Sequence, residues 1–122
     1  MHSGKDGHRR MAKINSKQKG KRGELEIAHI LQDYGYTEAR RSQQFAGMNG
    51  DADVVGLPGI HIECKRVQAL NLDKAMEQAE SDAREDEMPT VWHRKDRQPW
   101  RVTLSLEDFM KLYQAYEKET KQ

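Results

Sequence analysis

Two short runs constrain this chain more than anything else in it: Ala52-Asp53-Val54-Val55-Gly56-Leu57 and Ile60-His61-Ile62-Glu63-Cys64-Lys65-Arg66. β-branched residues favour extended backbone, and the Leu57-Pro58-Gly59 link favours a tight turn, so the pair reads as a hairpin. Each run also carries charge where a strand normally keeps apolar residues. In a strand over residues 60–66, the period of two puts His61, Glu63 and Lys65 on one face and Ile60, Ile62 and Cys64 on the other. One face is expected to be core and the other to carry chemistry. Asp53 opens the preceding strand, so the hairpin would bring its carboxylate beside Glu63, with Lys65 further along the same face. Two carboxylates and a lysine form a Mg²⁺ site with a water-positioning cation. The alternative is a set of solvated charges on the open face of an edge hairpin. With 34% of residues charged, an isolated Glu-x-Lys triplet carries little weight. A Gly-rich loop, an aspartate in an apolar run, a tight turn and then Ile-Glu-Cys-Lys form a more demanding pattern, and it favours catalysis.

At 122 residues the chain has room for one small core. No apolar run approaches the ~20 residues of a membrane span and the N-terminus shows no apolar signal segment, so a soluble, cytoplasmic protein is expected. The lone cysteine, Cys64, excludes an internal disulfide and a thiolate zinc cage, and reads as a small apolar core residue. Charge is unevenly spread. Residues 1–22 hold eight lysines and arginines against the single acid Asp6, and the remaining hundred carry a net −6. A basic arm over residues 1–18, ahead of an acidic domain over residues 19–122, suits a polyanionic partner; a solubilising tail is the other reading.

A helix capped at Ser16 or a neighbour is expected to run to Tyr34 and stop at Gly35, with Ile27, Ile30, Leu31 and Tyr34 as its buried stripe. Glu24 lies one turn before Ile27 and Ala28, on or beside the face that packs on the sheet, where a carboxylate needs a partner or a metal. Glu26 falls towards His29 and Asp33 on a more polar face. Residues 36–41 read as a strand and residues 42–50 as a loop suited to a substrate backbone, with Arg40 and Arg41 beside it to hold phosphates. Beyond the hairpin, Leu72, Ala75, Met76, Ala79 and Ala83 mark an amphipathic helix broken by Met88-Pro89. Lys74 and Gln78 share a flank of that helix one turn apart and could reach over the sheet edge towards the site, with ordinary exposure the preferred account of Lys74. Residues 90–94 and 100–104 read as a second hairpin around the charged turn 95–99, carrying Trp92 and Trp100. Ser105-Leu106-Glu107-Asp108 reads as a capping box opening a last helix with Leu106, Phe109, Met110, Leu112, Tyr113 and Tyr116.

With Glu24 on the first helix, Asp53 heading the second strand, Glu63-Cys64-Lys65 on the third and Gln78 on the next helix, the chain resembles the PD-(D/E)XK nuclease superfamily. Lys19-Gly20-Lys21-Arg22-Gly23-Glu24-Leu25-Glu26, Tyr34-Gly35-Tyr36, Ala52-Asp53-Val54-Val55-Gly56 and His61-Ile62-Glu63-Cys64-Lys65 look most like the archaeal-type Holliday junction resolvases and related phage endonucleases, over residues 19–105. The resemblance implies an α/β, restriction-endonuclease-like fold in the order α-β-β-β-α-β-β-α, with a mixed central sheet flanked by helices. It also implies metal-dependent hydrolysis of DNA, with a four-way junction or other branched DNA of recombination and repair as substrate. Asp53, Glu63 and the backbone carbonyl of Cys64 would hold the metal, with Glu24 joining directly or through water. Lys65 would orient or help deprotonate the attacking water, and Gln78 would support the site. Lys19, Lys21, Arg22, Arg40, Arg41, Ser42 and Arg66 would contact DNA. The implied cofactor is Mg²⁺, with Mn²⁺ as a substitute, and the implied assembly is a homodimer using the last helix and Trp92 or Trp100. The implied setting is the cytoplasm of a prokaryote or of a phage-infected host.

Two departures stand out. The stretch Asp51-Ala52-Asp53 lacks a proline before the aspartate, which leaves Asp51 as a competitor for the metal role. The loop over residues 42–50 is longer and richer in glutamine than in the resolvases. A phage nickase or a nuclease of flaps or linear ends would use the same chemistry, and a non-catalytic DNA-binding accessory protein is the reading from another class.

Overall fold

The computed structural model describes the backbone of residues 3–42 and 52–121 and the side chains of residues 18–42 and 52–121. Asp51, most of the preceding loop and the side chains of the basic arm lie outside the described residues. The elements are α1 (Ser3–Asp33), β1 (Arg40–Arg41), β2 (Val54–Val55), β3 (Ile60–Arg66), α2 (Leu72–Asp82), β4 (Met88–Arg94), β5 (Arg101–Thr103) and α3 (Leu106–Thr120). This is the expected order of a restriction-endonuclease-like fold. The five strands form one mixed sheet in sequence order, antiparallel except for the parallel pair β3 and β4, which α2 connects as a crossover.

α1 begins well before Ser16, at Ser3. Its end falls where the sequence places it. Gly35 takes a left-handed φ of 103°, the Gly35 N–H donates to the Gln32 carbonyl (2.9 Å), and the Tyr36 N–H donates to that of Leu31 (2.9 Å). That pair of bonds closes a Schellman cap. The chain turns away there, so Tyr34 is 79% exposed and does not extend the buried stripe of Ile27, Ala28 and Leu31. The strand expected over residues 36–41 shrinks to Arg40–Arg41, because residues 36–39 make a turn closed by Ala39 N–H donating to the Tyr36 carbonyl (3.0 Å). β2 is equally short: Gly56, at φ 102°, bends the chain out of it.

α1 covers one face of the sheet, burying Ile27, Ala28 and Leu31 against Ala39, Val54, Ile62 and Cys64, with Trp92 and Trp100 packed alongside. The approach is closest at Gly23, where an added Cβ would lie 3.1 Å from Arg66 Cβ and 3.2 Å from Cys64 Sγ. α2 covers the other face through Ala75 and Ala79 on Val91. It is capped by Asn71, whose Oδ1 accepts the Lys74 N–H (3.1 Å), and it ends at Ala83, five residues before Met88. Pro89 therefore breaks no helix; it lies inside β4. The Met88 N–H donates to the Gly59 carbonyl (2.8 Å), so strand alternation turns the Pro89 nitrogen to the opposite edge, where β5 pairs only from Val91 onwards.

The second hairpin forms as expected, and Ser105 caps α3 by accepting the Asp108 N–H on Oγ (3.1 Å). No residue of α3 is buried. Its apolar residues are not core: Leu106 is 77% and Tyr116 64% exposed, and Phe109 and Tyr113 stack along the helix at 6.4 Å.

Two outcomes are expected. In Gly56→Ala the new Cβ would meet Ala39 Cα and the Glu38 carbonyl at 2.5 Å on a left-handed backbone, so chemical denaturation should show a loss of about 3 kcal/mol. Burial, then the charge of Arg101, holds His93 below its ordinary pKa of 6.5, and its ring lies 2.8 Å from Thr103 Oγ1. A depressed folded pKa adds stability above 6.5 that is lost as pH falls through the folded value. Thermal unfolding at pH 7.5 and pH 5 should therefore show a larger acid-induced loss in the wild type than in His93→Gln.

Candidate active site

β3 is the middle strand of five and both of its faces are covered. Ile62 and Cys64 pack towards α1, whereas Glu63 shares a face with its register partner Val91, which packs on α2. Alternation places His61 and Lys65 on the α2 face with Glu63. The face expected to carry chemistry is itself buried and is not the open face of an edge hairpin: His61 is 1% and Glu63 5% exposed. A buried carboxylate needs a partner. Glu63 Oε1 has one in His61 Nε2 at 3.1 Å, and the His61 carbonyl accepts the Thr90 hydroxyl (2.7 Å). Burial alone would lower the pKa of His61. The hydrogen bond to Glu63 and the charges of Glu63, Glu87 and Asp82 outweigh it, so the value rises above the ordinary 6.5.

Asp53 is fastened to the same stretch from the β2 side. Its N–H donates to the Ile62 carbonyl (2.9 Å), and its Oδ2 accepts the Cys64 N–H (2.8 Å). The two acids therefore address adjacent residues of β3, Asp53 through the backbone of Cys64 and Glu63 through its own side chain. Glu24 arrives from α1, on the helical turn that Gly23 presses against β3. Its Oε1 accepts Arg41 Nε–H at 2.8 Å, which assigns Arg41 a carboxylate partner within the chain. Lys65 is half-buried and lines a cavity of about 340 Å³ with Lys74 and Gln78, both of which are exposed on α2. Gln78 Nε2–H in turn donates to Asp82 Oδ2 (2.6 Å).

Cys64 marks where these charges meet. Burial pushes its thiol far above the usual range, the negative fields of Asp53 and Glu24 push it further, and only Lys65 opposes them. Of the expected set, Asp53, Glu24 and Lys65 act on the Cys64 thiol and Glu63 is its neighbour on the strand, whereas Gln78 is exposed on α2 and shares only a cavity lining with Lys65. Among the described residues, the group offering three ligand atoms within 4.8 Å of one another is a different one: His61, Glu63 and Asp82. Oxygen donors supplemented by a buried imidazole fit a divalent cation. Sequence reasoning left His61 without a role and passed over Asp82. The signal for Asp82 was its place four residues after Gln78 on one helix face.

The residues expected to contact DNA divide. Lys21, Arg22 and Arg40 are exposed, and the Ser42 N–H donates to the Asp53 carbonyl (3.0 Å). Lys19 pairs with Asp96 (2.8 Å), and Arg66 with Glu26 (3.0 Å). Glu26 does not sit on a polar outer face. It also accepts Trp100 Nε1–H (3.0 Å) and Arg94 (3.1 Å), so it ties α1 to the ends of β3 and β4 and to the segment leading into β5.

Glu63 and Lys65 thus stand two residues apart on the central strand, with Asp53 bound to the backbone between them and Glu24 arriving from the first helix, on a mixed α/β fold of the restriction-endonuclease-like kind. A family model described as "Phage putative PDDEXK endonuclease" matches residues 15–122, and the chain belongs to that family and so to the PD-(D/E)XK superfamily. No curated protein and no solved structure gives a significant match. Among the described residues, no helix is long and apolar enough to cross a membrane.

Burial and the surrounding carboxylates leave Cys64 without thiolate character. A disulfide reagent at pH 8 should leave the native protein unmodified and label one thiol per chain after denaturation. Rapid labelling of the native protein would contradict the packing of α1 on β3.

Proposed function

We propose that this chain is a Mg²⁺-dependent DNA endonuclease that cuts branched DNA as a homodimer, with Glu24, Asp53, Glu63 and Lys65 as its working residues. The observation that carries this reading is the junction on β3: Asp53 bonded to the Cys64 N–H, between Glu63 and Lys65. Hydrolysis of a phosphodiester needs positive charge at the non-bridging oxygens, an activated water in line, and stabilisation of the leaving oxygen. Asp53, Glu63, the Cys64 carbonyl and, directly or through water, Glu24 would hold the cation. Bound there, the cation supplies Lewis-acid charge and a more acidic water. Lys65, half-buried beside this group, would orient that water and take part in its deprotonation. Gln78 would hold the α2 side of the site by its bond to Asp82.

The branched substrate and the dimer rest on the likeness to junction resolvases in the sequence motifs. Two symmetric cuts across a junction call for two active sites. The exposed Leu106, Phe109, Tyr113 and Tyr116 of α3 supply apolar surface for a second copy. The exposed Lys21, Arg22 and Arg40, together with the basic arm of residues 1–18, would hold phosphates without reading sequence.

Cleavage of a labelled four-way junction, compared with its linear duplex arms and with a flap, tests the substrate. Paired cuts near the crossover are expected. Cutting of linear or flap DNA alone would keep the nuclease and discard the junction, and metal-dependent cutting of none of them would favour a binding role. Deleting residues 1–18 should weaken DNA binding and flatten its dependence on salt, with each lost phosphate contact lowering the log–log slope by about 0.9. An unchanged slope would make the arm a passive tail.

A further inference from the structure

We propose that His61, Glu63 and Asp82 form a divalent-cation seat on the α2 face of β3, built for a transition-series ion such as Mn²⁺. The inference extends the catalytic reading, because Glu63 serves both, and its test separates the two. Imidazole Nε2 and Glu63 Oε1 lie 3.1 Å apart, and one ligand atom from each of His61, Glu63 and Asp82 falls within 4.8 Å of the others. Such spacing lets one ion touch all three.

The surroundings favour a cation. Glu87 Oε1 stands 3.9 Å from His61 Nδ1, so three carboxylates surround one imidazole. Glu63 is buried, and crowding the partly exposed Asp82 and Glu87 around the same imidazole adds like-charge repulsion that a dipositive ion would offset. Asp82 is held in place, since its Oδ2 already accepts Gln78 Nε2–H at 2.6 Å. The ligands also sit on a strand and on the last residue of a helix, so the seat is preformed by regular structure. Solvent reaches the rim of the seat, because Asp82 is only half-buried and the Glu87 side chain is 25% exposed.

The donor set points to the class of ion. Mg²⁺ demands oxygen ligands in near-octahedral array and keeps its waters, whereas an imidazole nitrogen suits Zn²⁺, Fe²⁺ or Ni²⁺ and the two carboxylates suit Mn²⁺, so a mixed nitrogen and oxygen set favours a transition-series ion over Mg²⁺. This seat faces α2, whereas Asp53 approaches β3 from the β2 side through the Cys64 N–H. One carboxylate, Glu63, stands between them.

Pulsed electron paramagnetic resonance of the full chain loaded with Mn²⁺ alone reads the ligation directly. Nitrogen modulation from a bound imidazole is expected in the wild type, preserved in Asp53→Asn and lost in His61→Gln. Asp82→Asn should raise the Mn²⁺ dissociation constant at least about tenfold in a calorimetric titration. Absence of nitrogen modulation in the wild type overturns the proposal whatever the variants do, which covers the case of a His61 variant that does not fold. So does modulation that survives in His61→Gln, which would assign it to another histidine, or Mn²⁺ affinity that falls in Asp53→Asn and not in Asp82→Asn. Wild-type protein that shows the modulation yet cuts no DNA would keep the seat and refute the catalytic reading.

Discussion

A strand buried on both faces has to find a partner for every polar side chain it carries, and β3 carries three on one face. The rest of the structure follows from how that demand is met. His61 and Glu63 satisfy each other under α2, with Asp82 and Glu87 closing round the imidazole. Lys65, one step nearer the strand end, is half-buried and lines a cavity with Gln78. Ile62 and Cys64 fill the opposite face, so the strand that carries the chemistry is also the spine of the core. Loss of packing there would be felt directly at the site.

The position of α1 over that spine depends on a residue with no side chain. At Gly23 a side chain of even one carbon would press on Cys64 Sγ and Arg66 Cβ, and the next residue, Glu24, takes Arg41 of β1 as its partner. One turn's width away, Glu26 gathers Arg66, Arg94 and Trp100. The two glutamates thus do different work from neighbouring positions. Glu26 fixes the helix to the ends of the strands, and that fixes where Glu24 lies.

Much of this was legible in the sequence because strand and helix periods are local. Residues 60–66 and the capping sites at Gly35 and Ser105 follow from dihedral preference and alternation alone. What stayed hidden depends on tertiary partners. Alternation puts His61, Glu63 and Lys65 on one face but does not say that α2 will cross back over it. Glu26 was placed on a polar face, since nothing nearby in sequence announces Arg94 or Trp100 as its partners. The short β1 and β2 escaped for another reason: a turn over residues 36–39 delays β1, and the left-handed Gly56 ends β2. Asp82 was passed over because its neighbour His61 is far away in sequence.

The most direct test of a metal-dependent nuclease centred on β3 is cleavage of labelled DNA with Mg²⁺ and with chelator, using wild type, Glu63→Gln and Lys65→Met side by side. Each substitution is close in shape to the original, so folding verified by circular dichroism should survive. Cleavage that needs Mg²⁺ and falls about a hundredfold or more in each variant is the expected result. Full cleavage by folded Glu63→Gln, or undiminished cleavage in chelator, would contradict it.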